Sequence, residues 1–280
     1  GSENVSVGAY SSTATTTGYS NVAVGHYAFQ ANTSGNFNTA VGWRALFNAT
    51  TADSNTAVGW SALNANTEGT GNVAVGYGAL QSNTTGINSV AVGAHALDAQ
   101  TTGGYNVAVG YNALSANTTG NNCVVVGSNA GALNTAHNLT AFGANCLDAN
   151  TTGAENTGIG YAALGATTTG GYNTALGSTA LAVNTTGGAN TSLGAASMGA
   201  NTTGANNVAI GYQSLAALTS GADNTAIGYQ AADALDTGAS NVVIGSSALG
   251  ADQKGARNVA IGNSALGLQV LTSNTETKNV

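Results

Sequence analysis

The chain has 280 residues, of which 41 are Gly and none is Pro, and only 5% are charged, against about a quarter in an ordinary soluble domain. Its 11 acidic and 4 basic residues give a net charge of −7, and the four cations, Arg44, Lys254, Arg257 and Lys278, form no cluster, which excludes a phosphate-binding surface for nucleic acid. No apolar run approaches the ~20 residues of a membrane-spanning helix and no charged-then-apolar leader is present, so no direct membrane insertion of this segment is expected.

Gly1-Ser2 reads as a cloning remnant, and Lys278-Asn279-Val280 resembles the opening of a further copy of the pattern that fills the chain, so a piece of something longer is expected. That pattern is set by a glycine that recurs every 17 residues from Gly8 to Gly127 and again from Gly143 to Gly262, in 16 copies. Only the step from Gly127 to Gly143 differs, being 16 residues. A short fixed period is the mark of a solenoid, each copy being one coil stacked on its neighbours. Residues 1–267 are therefore expected to form one all-β parallel β-solenoid domain of about 16 coils, a rod roughly 75 to 80 Å long at about 4.8 Å per coil. Residues 268–280 are expected to be a C-terminal cap or tail. Absence of Pro fits a backbone whose N–H groups are nearly all needed between coils, and scarcity of charge fits columns in which like residues stack on like.

Within each copy, the residue before the glycine is always large and apolar, from Val7 to Ile261, and the residue two places earlier is Val or Thr. This period-2 placement of β-branched residues predicts a short strand with that face turned into the core. The residue between them is Ala in 11 of 16 copies: Ala23, Ala40, Ala57, Ala74, Ala91, Ala108, Ala141, Ala175, Ala209, Ala226 and Ala260. A second face this small and apolar predicts burial against another chain, so this Ala row is the expected homo-oligomer interface.

After the glycine come Trp43, Trp60, Tyr77, Tyr111, Tyr161, Tyr212 and Tyr229, with His26 in the same place. Such a row is expected to cover the turn and seal the core, and Trp43, Trp60 and Tyr77 are also candidates for a flat glycan-binding platform. An Ala-Leu pair follows, as in Ala113-Leu114, whose Leu is expected in the core. Each copy closes on Asn-Thr-Thr-Gly, as at Asn83 to Gly86; its glycine is expected to take positive φ, and its Asn to form a hydrogen-bonded ladder from coil to coil. These Asn-x-Thr triplets read as turn chemistry rather than glycosylation sites. First-position threonines, among them Thr84, Thr101, Thr118, Thr151, Thr185 and Thr202, line up as a candidate surface-binding column, and an ice-binding solenoid is the alternative function that column suggests. The short step, Ser128 to Thr140, has lost the closing motif and predicts a local bulge or kink.

No catalytic constellation, metal-ligand spacing or cofactor motif occurs: the three histidines fall at different places in their repeats, and Asp98, Asp148 and Asp233 share one place in non-consecutive copies. No enzyme, cofactor or metal site is expected. Cys123 and Cys146 sit at different repeat positions and are expected as unpaired small thiols.

The stretch Asn106-Val-Ala-Val-Gly-Tyr-Asn-Ala-Leu114 resembles the YadA-like head repeat of trimeric autotransporter adhesins, and the longer unit ending in Asn-Thr-Thr-Gly resembles repeats of bacteriophage tail fibres and large bacterial surface proteins. The resemblance runs from Asn4 to about Gly267; the 17-residue period is longer than that of the adhesin heads, and no neck, coiled-coil stalk or anchor is recognisable. It implies a left-handed parallel β-roll, a side-by-side homotrimer, and an adhesive or spacer role outside the cell, at a cell surface or on a virion, toward a receptor or glycan the sequence does not name.

Overall fold

In the computed structural model, which describes residues 1–268, every copy folds as one coil built on a three-residue strand ending at its glycine. The chain divides into two units, Gly1–Leu139 and the residues from Thr140 onward. The division falls within the 16-residue step, where a kink in a single domain was expected. The first unit holds β1 (Val5–Val7), β2 (Val22–Val24), β3 (Thr39–Val41), β4 (Thr56–Val58), β5 (Val73–Val75), β6 (Val90–Val92), β7 (Val107–Val109) and β8 (Val124–Val126). The second holds β9 (Thr140–Phe142), β10 (Thr157–Ile159), β11 (Thr174–Leu176), β12 (Thr191–Leu193), β13 (Val208–Ile210), β14 (Thr225–Ile227), β15 (Val242–Ile244) and β16 (Val259–Ile261). In each unit consecutive strands pair in parallel with no shift of register, so Val90, Ala91 and Val92 lie beside Val107, Ala108 and Val109. Each unit is thus a parallel β-solenoid with no helix among the described residues. The cap or tail expected over 268–280 lies outside them, apart from Leu268.

The faces of the strand are reversed from the sequence reading. The central Ala row, Ala23 to Ala260, points into its own coil and is buried within a single chain, so it is not an intermolecular surface. The flanking Val, Thr and Ile residues point outward and are half-buried or exposed. The interior is narrow, and Leu from the following turn already fills it, as Leu46, Leu63, Leu80, Leu97 and Leu114 do with no exposed surface. Opposite those leucines a strand has room for one methyl group. Variants of the Ala place keep the volume balanced: Gly158 faces the larger Cys146, and Ser192 shares a buried hydrogen bond of 2.6 Å with Ser197. Gly131, in the Leu place, leaves space beside Leu114 that Val125 and Leu139 occupy.

A second interior column is polar. Asn residues that precede the strands, such as Asn173, Asn190, Asn207 and Asn224, are buried, and each carboxamide oxygen accepts the backbone N–H and the amide of the next Asn in the column. Each amide also donates to a turn glycine carbonyl, as Asn207 does to Gly221 at 2.8 Å. This column, more than the closing Asn, is the continuous ladder. The closing Asn residues make it only in part, Asn83 to Asn66 at 2.8 Å and Asn201 to Asn184 at 3.0 Å. Where Ser89 replaces the ladder Asn, the longer Gln100 reaches across from the closing place, donating to Ser89 and accepting from Asn106.

Turn chemistry also departs from expectation. The strand-ending glycines have φ between +127° and +144°, and a Cβ on Gly93 would lie 2.5 Å from the Gly110 carbonyl oxygen. Closing glycines such as Gly120 are not in the left-handed region; there a Cβ would meet the Ala136 carbonyl oxygen and Asn117 Oδ1 at 2.6 Å, so they are glycine for lack of space. Left-handed φ falls instead on residues such as His95, Leu97 and Tyr105. Each costs about 1–2 kcal/mol and is held by the hydrogen bonds of the coils on either side.

Candidate functional site

Three surfaces follow from this coil. The first is the outward strand column. The residue before each strand-ending glycine is Val, Ile, Leu or Phe in every coil, yet these side chains are half-buried or exposed, never buried: Val75 is 37% exposed, Leu176 45% and Ile210 36%. Beside them runs the outward Val or Thr that opens each strand. A parallel sheet with one face left open and apolar in every coil is unusual, because such sheets are ordinarily covered on both faces. With about 3.3 Å per residue and about 4.8 Å per coil, the eight strands of one unit offer a strip of roughly 10 by 38 Å, about 380 Å². The two strips of a chain sum to about 760 Å², close to the ~800 Å² that each partner gives to a standard protein interface.

The second surface is the aromatic row. Trp43, Trp60 and Tyr77 stack face to face, with centroids 5.0 Å apart at 13° and then 4.5 Å apart at 5°. Trp60 is 39% exposed and Tyr77 49%, so these rings lie on the surface of the turn instead of sealing the core. The stack consumes its own faces: both sides of Trp60 are covered, and the Arg44 guanidinium lies 5.1 Å from the Trp43 ring. Trp60, the middle ring, presents only its edges to solvent. Tyr111 differs. The same place holds Ala94 in the preceding coil and Ser128 in the following one, and among the described residues the ring near Tyr111 is His95, edge-on at 6.5 Å and 85°.

The third surface is the threonine column. Thr84, Thr101, Thr151, Thr185 and Thr202 each donate their hydroxyl to the backbone carbonyl of the Thr 17 residues on, at 2.9 to 3.2 Å. Those hydroxyl protons are spent inside the coil, while Thr118 stands exposed without such a bond and second-position residues such as Thr85 are also exposed. The Asn of the closing triplets is buried at Asn83, Asn117, Asn150, Asn184 and Asn201, which agrees with a turn role.

Among titratable groups, Asp98, Asp148 and Asp233 are all pushed above the usual carboxylate range by burial; at Asp98 the neighbouring His95, 3.3 Å away, pulls the other way. In the coil after Asp148 and the coil after Asp233 the matching place is Gly165 and Gly250, where a Cβ would lie 3.5 Å from the carboxylate oxygen. Cys123 and Cys146 are unpaired and buried, and burial pushes the Cys146 thiol up to about 12. No group of three or more His, Cys, Asp or Glu side chains is placed to hold a metal ion among the described residues, and no described helix is long and apolar enough to cross a membrane. Comparison with protein-family models, curated proteins and solved structures finds no match to the chain.

Proposed function

We propose that the chain is a non-enzymatic structural and adhesive segment of an extracellular fibre, at a bacterial surface or on a virion, whose copies pack side by side as a homotrimer. The observation that carries this reading is the outward Val, Ile, Leu and Phe column, apolar in all 16 coils and half-buried or exposed in a single chain. An apolar strip that recurs without interruption is costly to leave wet, and covering it by copies of the same chain brings identical columns together around a common axis. The number three comes from the resemblance to trimeric autotransporter heads. The interface so proposed is the column of residues before the glycines, in place of the Ala row.

The test is to introduce charge on that column. Val92→Lys with Ile210→Lys is expected to release 27.0 kDa monomers that keep the β-sheet circular dichroism of the unaltered chain. Thr203→Lys, on the turn surface, is expected to leave the assembly intact. An unchanged mass in the Val92 and Ile210 double variant would overturn the interface.

A further inference from the structure

Beside the unstacked Tyr111, the turns of three consecutive coils in the first unit leave a groove of about 540 Å³, bounded by His95, Asp98, Tyr111, Asn112, Ser115 and Leu133. We propose that this groove is a saccharide-binding site that takes one or two pyranose rings of a larger glycan, stacked on Tyr111. The proposal deepens the adhesive half of the function given above and does not depend on the oligomeric state.

The groove is a shallow trough open to solvent, suited to part of a chain of sugar rings, and it exists because Ala99, Ala116 and Ala132 leave the floor low. Leu133, 54% exposed, stands where the coils before and after it carry Ala116 and Ala149, and it raises one apolar wall. The Tyr111 ring supplies a flat apolar face, 55% exposed and shared with no stacked aromatic, which suits the C–H face of a pyranose. Two of the polar groups around it already donate within the turns. Ser115 Oγ donates to the Ala132 carbonyl at 3.2 Å, Asn112 Nδ2 donates to Asn129 Oδ1 at 3.4 Å, and Asp98 is acceptor-only when ionised. The groove therefore offers lone pairs on Asp98, Asn112 Oδ1 and Ser115 Oγ, with the second Asn112 N–H and the Tyr111 hydroxyl as donors, to a ligand rich in hydroxyl groups, which both donate and accept. His95, held 3.3 Å from Asp98, fixes that carboxylate. An apolar plate with convergent acceptors is the complement of a sugar ring, whereas the self-stacked Trp43, Trp60 and Tyr77 offer no uncovered central face.

The experiment screens the intact chain on a glycan array and measures the best binder by calorimetry, with circular dichroism and light scattering on every variant. Tyr111→Ala and Asp98→Asn are each expected to weaken binding about tenfold or more, while Tyr111→Phe retains most of it and Trp60→Ala leaves it unchanged. Binding lost in Trp60→Ala but kept in Tyr111→Ala would place the site on the stack and overturn the proposal. Absence of glycan binding by the intact chain would also overturn it, and the light-scattering mass would show whether the oligomer proposal survives that result.

Discussion

Gly158→Ala tests the internal packing most sharply, because its sign is expected to depend on one other residue. Gly158 is the centre of β10, in the place that is Ala in most coils, and its backbone is outside the left-handed region. A Cβ there would lie 2.6 Å from Cys146 Sγ and 3.2 Å from Leu147 Cδ1. Carbon and sulfur need about 3.5–4 Å, so the contact is short by about 1 Å in a close-packed interior, and overpacking of this kind costs about 1–3 kcal/mol. Against it, replacing Gly by Ala removes unfolded-state freedom worth about 0.4–1 kcal/mol. In the native background the substitution is therefore expected to destabilise by roughly 1–2 kcal/mol. In a Cys146→Ala background the contact with Sγ is removed, the 3.2 Å contact with Leu147 Cδ1 needs a shift of only a few tenths of an ångström at the end of that side chain, and the same substitution is expected to be neutral or to stabilise by up to about 1 kcal/mol. Urea unfolding of the four chains, followed by circular dichroism, measures the coupling. An equal effect of Gly158→Ala in both backgrounds, or stabilisation in the native one, would refute the compensated packing of Cys146 and Gly158.

Three further outcomes follow from the same geometry. Asn207→Ala strips partners from the buried backbone N–H of Asn224 and carbonyl of Gly221; at about 1–3 kcal/mol for each orphaned group, a loss of about 2–6 kcal/mol is expected in thermal or urea unfolding, against less than about 0.5 kcal/mol for the exposed Thr203→Ala. Gly93→Ala combines φ of +132° with a Cβ 2.5 Å from the Gly110 carbonyl oxygen, and is expected to cost more than about 3 kcal/mol or prevent folding of the first unit; soluble, unperturbed protein would contradict the argument. Burial holds the Cys146 thiol at about 12 against 9.0 in an ordinary setting, so above pH 9 the unfolded chain loses this proton while the folded chain keeps it. Stability is then expected to fall as pH rises from 9 toward 12, by about 1 kcal/mol per pH unit attributable to this group, and Cys146→Ala should remove that share of the slope. A thiol-specific reagent at pH 8 should label Cys146 only after unfolding.

The 17-residue period, the strand ending at each glycine and the inward Leu were legible because each is a repeated choice of residue type. Which strand face is inside was not. Period 2 separates Ala from Val but does not orient them, and side-chain size alone favours the larger, β-branched row for the core. Core volume decides the matter: with Leu114 and its equivalents projecting across a narrow coil, the strand can add only the methyl of Ala108, and the valines are left outside. The positions of left-handed φ were equally hidden, because Leu97 and His95 take them under the constraint of neighbouring coils instead of by propensity. The Asn that precedes most strands is visible as a repeated residue, but its role needs the distance between coils. The groove at Tyr111 had one legible trace, the lack of an aromatic at Ala94 and Ser128 on either side of it.

The measurement that bears most directly on the account is the solution mass of the unaltered chain by light scattering on a sizing column. A chain of 27.0 kDa assembled through its outward Val, Ile and Leu column predicts about 81 kDa, three times that mass. A mass of 27 kDa at working concentration would contradict it, leaving that column open to water and the homotrimer without a physical basis.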